Sequence, residues 1–425
     1  MNKQYFKTIS LFLLISLSPG RDYIGFQINV NNNPYSANLF INTMGIEPRY
    51  LAILDTGLSP TWFVNSGQTG IDFKVNQQKL SYFDKPNQSW IIVNEFMNEI
   101  DTLECANGYG ADYHDIILTD DGGYILQAYD SIFVNMSTIV SGGFENARII
   151  TLIIQEFDVN DSLVFEWNAW DHLNISDYTN LNLTQESIVW MHGNSIEIDN
   201  DTNLIISNRR SSEIIKINRT TGNVIWCLGG PNNQYGIEND PLNGFSKQHD
   251  VRRINNGNIM LFDNGNEHEP PISRAVEYSI DETEMTAELI WDYSHPEGYV
   301  GLAMGSVQRL PNNNTLINWG TLNNRGAIIT EVDYDKNIVL EIEYPPNIRC
   351  YKVRKDNWNF LTNLIPGDTN LDNETNIFDL YNISNLTFLV NENLDLFHLY
   401  RYDLNKDRQI TMHDIELIVL MITNQ

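Results

Sequence analysis

Three cysteines in 425 residues, Cys105, Cys227 and Cys350, are too few and too scattered to frame a disulfide-stapled fold or a Cys-based zinc site. Positive charge is scarce too. Lys and Arg number 26 against 55 Asp and Glu, a formal charge of −29 at pH 7. So acidic a chain repels phosphate backbones and anionic lipid, which argues against nucleic acid and membrane surfaces as partners and leaves divalent cations in favour. Long apolar runs are lacking. The stretch Ile9 to Leu17 follows Lys3 and Lys7, ends at Ser18-Pro19-Gly20, and falls short of the ~20 residues that span a bilayer. A basic start, a short apolar stretch and a helix-breaking end predict a secretory signal over residues 1–20, hence an exported, soluble protein. Aromatic mass is not lacking: nine Trp, twenty Tyr and eighteen Phe can furnish a large core, so global disorder is excluded. The length fits two or three domains, or one large repeat domain with a small module.

The middle of the chain repeats. Four alternating apolar strands run up to an aromatic at Trp167, Trp226, Trp291 and Tyr344, spaced by 59, 65 and 53 residues. A second series interleaves with them, opening at Tyr113, Met191, Gln248 and Gly305. Each unit reads as a strand, a turn rich in Asn, Asp and Gly, and a second strand, which is a β-hairpin. Hairpin following hairpin gives four strands per unit, the pattern of a β-propeller blade; a β-sandwich pair or a β-helix is the alternative. Weaker copies over Ile24 to Ala111 bring the count to about six blades, so residues 21–360 are expected to form an all-β, six-bladed propeller. The strand near Phe26–Val30 is expected to close the ring on the last blade, because an unpaired edge is a liability.

Three of the four openings in the second series carry histidine: His114, His192 and His249. The fourth has Gly305 and Ser306 instead. The first strand of a propeller blade lines the channel, so these imidazoles should converge. A lone histidine is more often a hydrogen-bonded core residue. Three at equivalent positions point to a functional site, or to a metal held by imidazoles.

From His192 to Tyr293 the chain reads HGNSI, LIISNR, GNVIWCLGG, QHD, FDNG and SRAVEY in order. This series closely resembles the arylsulfotransferase family, and YHDIILTDDGGYILQAYD resembles that family's upstream strand. The resemblance implies a six-bladed propeller that moves a sulfuryl group from a phenolic sulfate ester to another phenol without a nucleotide donor. It implies that His192 and His249 polarise the sulfate and the phenolic oxygen, that Arg274 holds a sulfate oxygen, and that Asn264 donates its amide. Such chemistry spreads negative charge over the sulfate oxygens, so preorganised cations and donors in a dry cavity are needed. Arg209 and Arg210, after a strand, are more simply a solvated turn pair, with a smaller chance of touching ligand. The family's transiently sulfated histidine of a later blade does not carry over. The corresponding stretch, GSVQRLPNNNTLINWGTLNNRG, has no histidine, and His295 nearby falls in a connecting loop. Direct transfer, hydrolysis, a non-catalytic propeller that binds an anionic or aromatic ligand, and a metal-dependent hydrolase or lyase at His114, His192 and His249 all stay open.

Past Tyr344 comes a basic burst, then Pro366-Gly367, then a motif twice over. The first copy is Asp368, Asn370, Asp372, Glu374, Asn376 and Asp379; the second, 35 residues on, is Asp403, Asn405, Asp407, Gln409, Thr411 and Asp414. Oxygen ligands at positions 1, 3, 5, 9 and 12, with a backbone carbonyl at 7, suit Ca²⁺. An apolar helical stretch follows each copy, with Leu380, Ile383 and Leu386, and Ile415, Ile418, Val419 and Ile422, at helical spacing. Residues 366–425 therefore resemble a type I dockerin, a small EF-hand-like helical domain, and the resemblance implies a cohesin-bearing scaffold protein as partner. Position 6, usually glycine, is Asn373 in one copy and Arg408 in the other.

Overall fold

In a computed structural model the described residues are 23–358, 365–370, 374–387 and 396–423. The expected signal over residues 1–20 and the candidate ligand Asp372 lie outside them. Residues 27–356 form six sheets of four or five strands. Their innermost strands neighbour one another in a closed cycle around one axis. Among the described residues no helix is long and apolar enough to cross a membrane.

Blades 3 to 6 follow the repeat. Their inner strands are Ala111–Leu118, Gly193–Ile198, His249–Arg253 and Ser306–Arg309, each paired with the next strand in the chain. The hairpin from Ile254 to Asn258 shows why Asn and Gly crowd the turns. Gly257 sits at φ +88° and donates to Ile254 O, a backbone that side chains resist. The periodic aromatics are buried on outer strands: Trp226 of blade 4 packs with Val251, Ile259 and Leu261 of blade 5. The apolar core thus lies between blades rather than on the axis.

The ring is closed from both ends. Gln27–Asn31 adds an outer strand to blade 6 by pairing with Ile338–Glu343, as the sequence led us to expect. The second closure was not foreseen. In the basic burst, Arg349–Asp356 forms the inner strand of blade 1, paired with Asn38–Met44.

That strand brings two of the cations that fill the axis. Arg354 grips Asp250 with both terminal nitrogens, at 2.7 and 2.5 Å, and Arg252 bridges Asp250 at 3.0 Å and Asp115 at 2.6 Å. Lys74 reaches Asp72 at 2.8 Å and Asp115 at 2.5 Å, Lys352 lies 3.5 Å from Asp115, and Glu197 joins Arg252 at 3.2 Å. Blade 6 contributes a backbone amide, Val307 N to Asp250. Four acids face four bases, with every inner strand represented. A bulge between His249 and Arg252, with Asp250 at φ +59°, turns that carboxylate inward. Burial alone would raise Asp250, yet Arg354, Arg252 and Lys352 together hold it well below the usual carboxylate range.

Residues 377–423 contribute helices Ile377–Thr387, Leu396–Tyr402 and Met412–Thr423. Ile383 and Ile418 meet in a small core, with Leu380, Ile415 and Ile422 packed against it. Val419, expected in that core, is 38 % exposed, and the helix before the second acidic loop was not expected. The latter packs Leu399 and Tyr400 against Trp62 and Trp358 beside blade 1.

Asp250→Asn should lower stability by about 3–5 kcal/mol, because it strands Arg354 in the interior and takes one of three acids from Arg252. Glu156→Gln, which breaks the more exposed pair with Arg219 (2.5 Å), should cost less than about 1 kcal/mol. Chemical denaturation midpoints of the two variants test the contrast; equal losses would count against an axial lattice that joins the blades.

Candidate active site

His192 and His249 lie at the beginnings of the inner strands of blades 4 and 5, and His114 is the fourth residue of the inner strand of blade 3; His114 and His249 each directly precede an axial carboxylate. His192 immediately precedes its strand, where its backbone N–H donates to Asn208 Oδ1 at 2.9 Å and its carbonyl accepts from Arg209 N at 2.9 Å. The rings of His114 and His192 stand edge to face with centroids 4.7 Å apart. Tyr113 stacks on His114 at 4.0 Å, and Tyr351 of the closing strand presents its edge to both at 5.6 Å. Burial first, then the positive charge of neighbouring groups, lowers both remaining histidines. His192 falls to about 3, influenced by His114 and Arg209. His249 falls well below its usual value, with Arg209, His192 and His114 all contributing. The three imidazoles and Arg209 therefore share one electrostatic neighbourhood.

Two of the tautomers are set by partners. Asn264 donates its amide to Gly301 O at 2.8 Å and Met304 O at 3.0 Å, so its oxygen faces His249 Nδ1 at 2.6 Å and must accept. His249 consequently carries its proton on Nδ1 and keeps a bare lone pair on Nε2. His114 is held in the same sense by a carboxylate: Nδ1 donates to Asp112 Oδ1, which Gln127 Nε2 (2.8 Å) and His114 N (3.0 Å) also bond.

The arginine beside the imidazoles is Arg209; Arg274 lies farther out. Arg209 follows the second strand of blade 4 as Asn264 follows the second strand of blade 5, so the repeat register could have identified it. Its Nη2 donates to Leu302 O at 2.9 Å, and its buried Nε has no partner. Among the described residues no carboxylate lies in ion-pair contact with it, and burial followed by Arg210 lowers its pKa against a smaller opposing pull from Glu267. Arg210 itself is exposed.

Arg274 and Asn264, expected to touch sulfate, are committed elsewhere. Arg274 stands on the third strand of blade 5, two strands out from the axis. Its Nε donates to Asp263 at 2.9 Å, its terminal nitrogens to Asp240 at 2.8 and 2.9 Å, and Nη2 to Gly244 O at 2.6 Å. It is a buried structural cation. Asn264 spends both amide bonds on backbone and acts through His249. His295, in the loop after blade 5, is bonded to Glu341 at 2.9 Å. Asp112, Gln127, Tyr113 and Tyr351 went unremarked in the sequence, although Asp112 and His114 stand two apart on one strand face. Among the described residues no three His, Cys, Asp or Glu side chains are grouped to hold a metal.

The depressed histidines set a pH dependence. At pH 5 an unfolded histidine, with a pKa near 6.5, binds a proton that the folded ring refuses, so the unfolded state gains. Stability should therefore fall as pH drops from 7 to 5, by up to roughly 2 kcal/mol per buried ring. His249→Gln should flatten the slope, as read by melting curves at the two pH values; an unchanged slope would mean that the ring protonates in place.

Residues 30–352 match the arylsulfotransferase (ASST) family. No curated protein matches the sequence. Among solved structures, a protein of unknown function from Bacteroides caccae is similar at 9 % identity and TM-score 0.46, over 75 % of this chain and 98 % of that one. A catalytically inactive virginiamycin B lyase from Staphylococcus aureus is similar at 8 % and 0.39, over 76 % and 89 %. A putative 6-phosphogluconolactonase from Bacteroides fragilis is similar at 10 % and 0.36, over 78 % and 83 %. Likenesses this distant say nothing about chemistry.

Proposed function

This chain belongs to the arylsulfotransferase family, and from that premise we propose that it transfers a sulfuryl group from a phenolic sulfate ester to a phenol at the mouth formed by blades 3, 4 and 5. The observation that carries the proposal is an arginine without a carboxylate partner beside three inward imidazoles, in a protein of charge −29. Other cations at the axis, Lys74, Lys352, Arg252 and Arg354, are already neutralised by acids. Arg209 is left to attract an anion, and its unpartnered Nε is a donor waiting for an oxygen. His192 stands beside it. His249, with Nε2 bare, suits the phenolic oxygen as a proton acceptor. Tyr113, only half-buried, offers aromatic surface to the ring of a donor or acceptor.

Arg209→Ala and His249→Ala should each lower kcat/KM for 4-nitrophenyl sulfate with phenol as acceptor by 10²-fold or more, on the scale of about 3 kcal/mol of lost charge stabilisation. Arg274→Lys should instead lower the melting temperature more than the turnover. Nitrophenol release that ignores added phenol would indicate hydrolysis, and no release at all would leave a binding propeller.

We further propose that the protein is exported and that residues 366–423 form a calcium-dependent, dockerin-like module fitted to a cohesin-bearing scaffold. The last carboxylates of the two motifs have matching partners. Asp379 accepts from the backbone of Thr369, Asn370 and Asn376, as Asp414 does from Leu404, Asn405 and Thr411, which folds each last carboxylate back over its loop. Burial first, and Asp414 among the smaller causes, raises Asp403 to about 6, so ionising it at neutral pH costs stability that a bound cation would offset. Ca²⁺ there would be held by carboxylate, amide and carbonyl oxygens of the two motifs. Calorimetric titration of the full chain should show two ions, and Asp403→Ala should leave one; full uptake by that variant would remove the second loop from the scheme.

A further inference from the structure

In blade 3 the second and third strands outrun the inner one. Ala111–Leu118 pairs with Tyr124–Val134 only as far as Ala128, whereas Tyr124–Val134 and Ala147–Phe157 stay paired up to Val134 and Ala147. Ser187–Val189 adds a third, parallel strand beside Arg148, Ile149 and Ile150. The result is a three-stranded wall rising from the end of the blade that carries His114. One face of this wall is spent on packing. Ala147 and Ile149, with Met136 and Ile188, are buried in one apolar cluster, and their strand partners Val134 and Ile132 pack against it.

The opposite face begins at the site. Gln127 Nε2 donates to Gly193 O at 3.2 Å and to Asp112 at 2.8 Å, and Tyr129 donates its hydroxyl to the same Gly193 O at 3.1 Å. Gly193 directly follows His192. Alternation along the strand sets Ser131 and Phe133 on the face of Gln127 and Tyr129. Phe133 is 65 % exposed, and its direct cross-strand partner Arg148, also exposed, shares that face. Among the described residues Arg148 forms no ion pair. An apolar ring and an uncommitted cation thus stand side by side in a protein of charge −29. At ~3.4 Å per residue, Phe133 lies about 14 Å up the wall from Tyr129. A single ring held at the imidazoles stops short of it.

Resting on the sulfuryl-transfer proposal above, we propose that Phe133 and Arg148 determine acceptor specificity, selecting a phenol of two or more linked aryl rings whose far end carries a carboxylate or sulfate. The hydroxyl enters among the imidazoles, the outer ring lies on Phe133, and the terminal anion meets Arg148. Ring contact sets the length preferred and the guanidinium sets the charge. Because its back is buried, the wall is a fixed surface, and little has to be ordered when such an acceptor arrives.

Initial rates of the full chain, with 4-nitrophenyl sulfate as donor, compare 4-hydroxybenzoate, 4′-hydroxybiphenyl-4-carboxylate and the three-ring homologue of the latter. Wild-type kcat/KM should be about tenfold higher for the better of the two long acceptors than for the single ring. Phe133→Ser and Arg148→Gln should each lower kcat/KM for that long acceptor about three- to fivefold more than for 4-hydroxybenzoate, and the Arg148→Gln difference should fade at high salt. Rates that do not rise with ring number, or equal losses across acceptors, would overturn the proposal. Calorimetric titration with the same long acceptor, donor omitted, reads the contrast without turnover: both variants should bind it more weakly than wild type. Should wild type release no nitrophenol with any acceptor, the transfer reading fails, and the wall is then judged by that titration alone, where no binding, or binding unaltered in both variants, rejects it.

Discussion

Eight charged side chains, locked in pairs and bridges along one axis, are what six separate sheets have in common. Each blade can bury its faces against its neighbours with ordinary apolar residues, as Trp226 does against Val251 and Leu261. That packing joins blades two at a time and leaves the inner strands facing a shared space. Asp72, Asp115, Glu197 and Asp250 fill the space with Lys74, Lys352, Arg252 and Arg354, and the pairings of Lys74, Arg252 and Lys352 with Asp115 and of Arg354 with Asp250 tie residues far apart in sequence. Such a lattice is a weak source of net stability and a strong source of specificity, since any register error leaves a buried charge unpaired. It also explains how a chain of charge −29 keeps so many of its few cations inside.

The same lattice prepares the site above it. Its acids are spent on its own four cations, and none of them pairs with Arg209. Dry surroundings are what hold His192 and His249 neutral. Their basicity is lost first to burial and then to the positive groups around them, and the protein accepts the resulting acid sensitivity. Behind His114 a carboxylate stands where His249 has an amide.

How much of this was legible depends on where a residue stands in its blade. The Asn- and Gly-rich hairpins opening at Tyr113, Met191, Gln248 and Gly305 announced the inner strands within a few residues, because turn chemistry and period-2 alternation are local signals. The convergence of the three histidines followed from equivalence. The closing strand did not, because YKVRKD alternates charge with apolar residues as a solvated edge would, and only a partner at the opposite end of the chain makes its cations interior. Arg274 was placed on the axis although it opens a third strand, which propeller geometry sets away from the channel. Arg209 does stand in a turn after a second strand, as read, but it is only partly exposed there, and the register shared with Asn264 was the signal passed over.

One departure from the calcium-loop pattern has a packing reason of this kind. Arg408 stands where glycine is usual, with φ +68°, a conformation that costs an arginine more than a glycine. Its guanidinium lies directly on Gly67, also left-handed at φ +57°, so close that a β-carbon there would overlap Nη1. Asn65 donates to Lys406 O at 3.0 Å, Lys406 sits over the rings of Phe63 and Tyr400, and Tyr400 packs on Trp62. Contacts with the end of blade 1 thus offset a strained loop residue, and a glycine at 408 would relax the loop while removing its hold on the propeller. Blade 1 receives the C-terminal part of the chain twice, the closing strand on its inner side and the helical module on its outer strand. The module and the ring closure therefore share a sheet, and whatever orders one bears on the other.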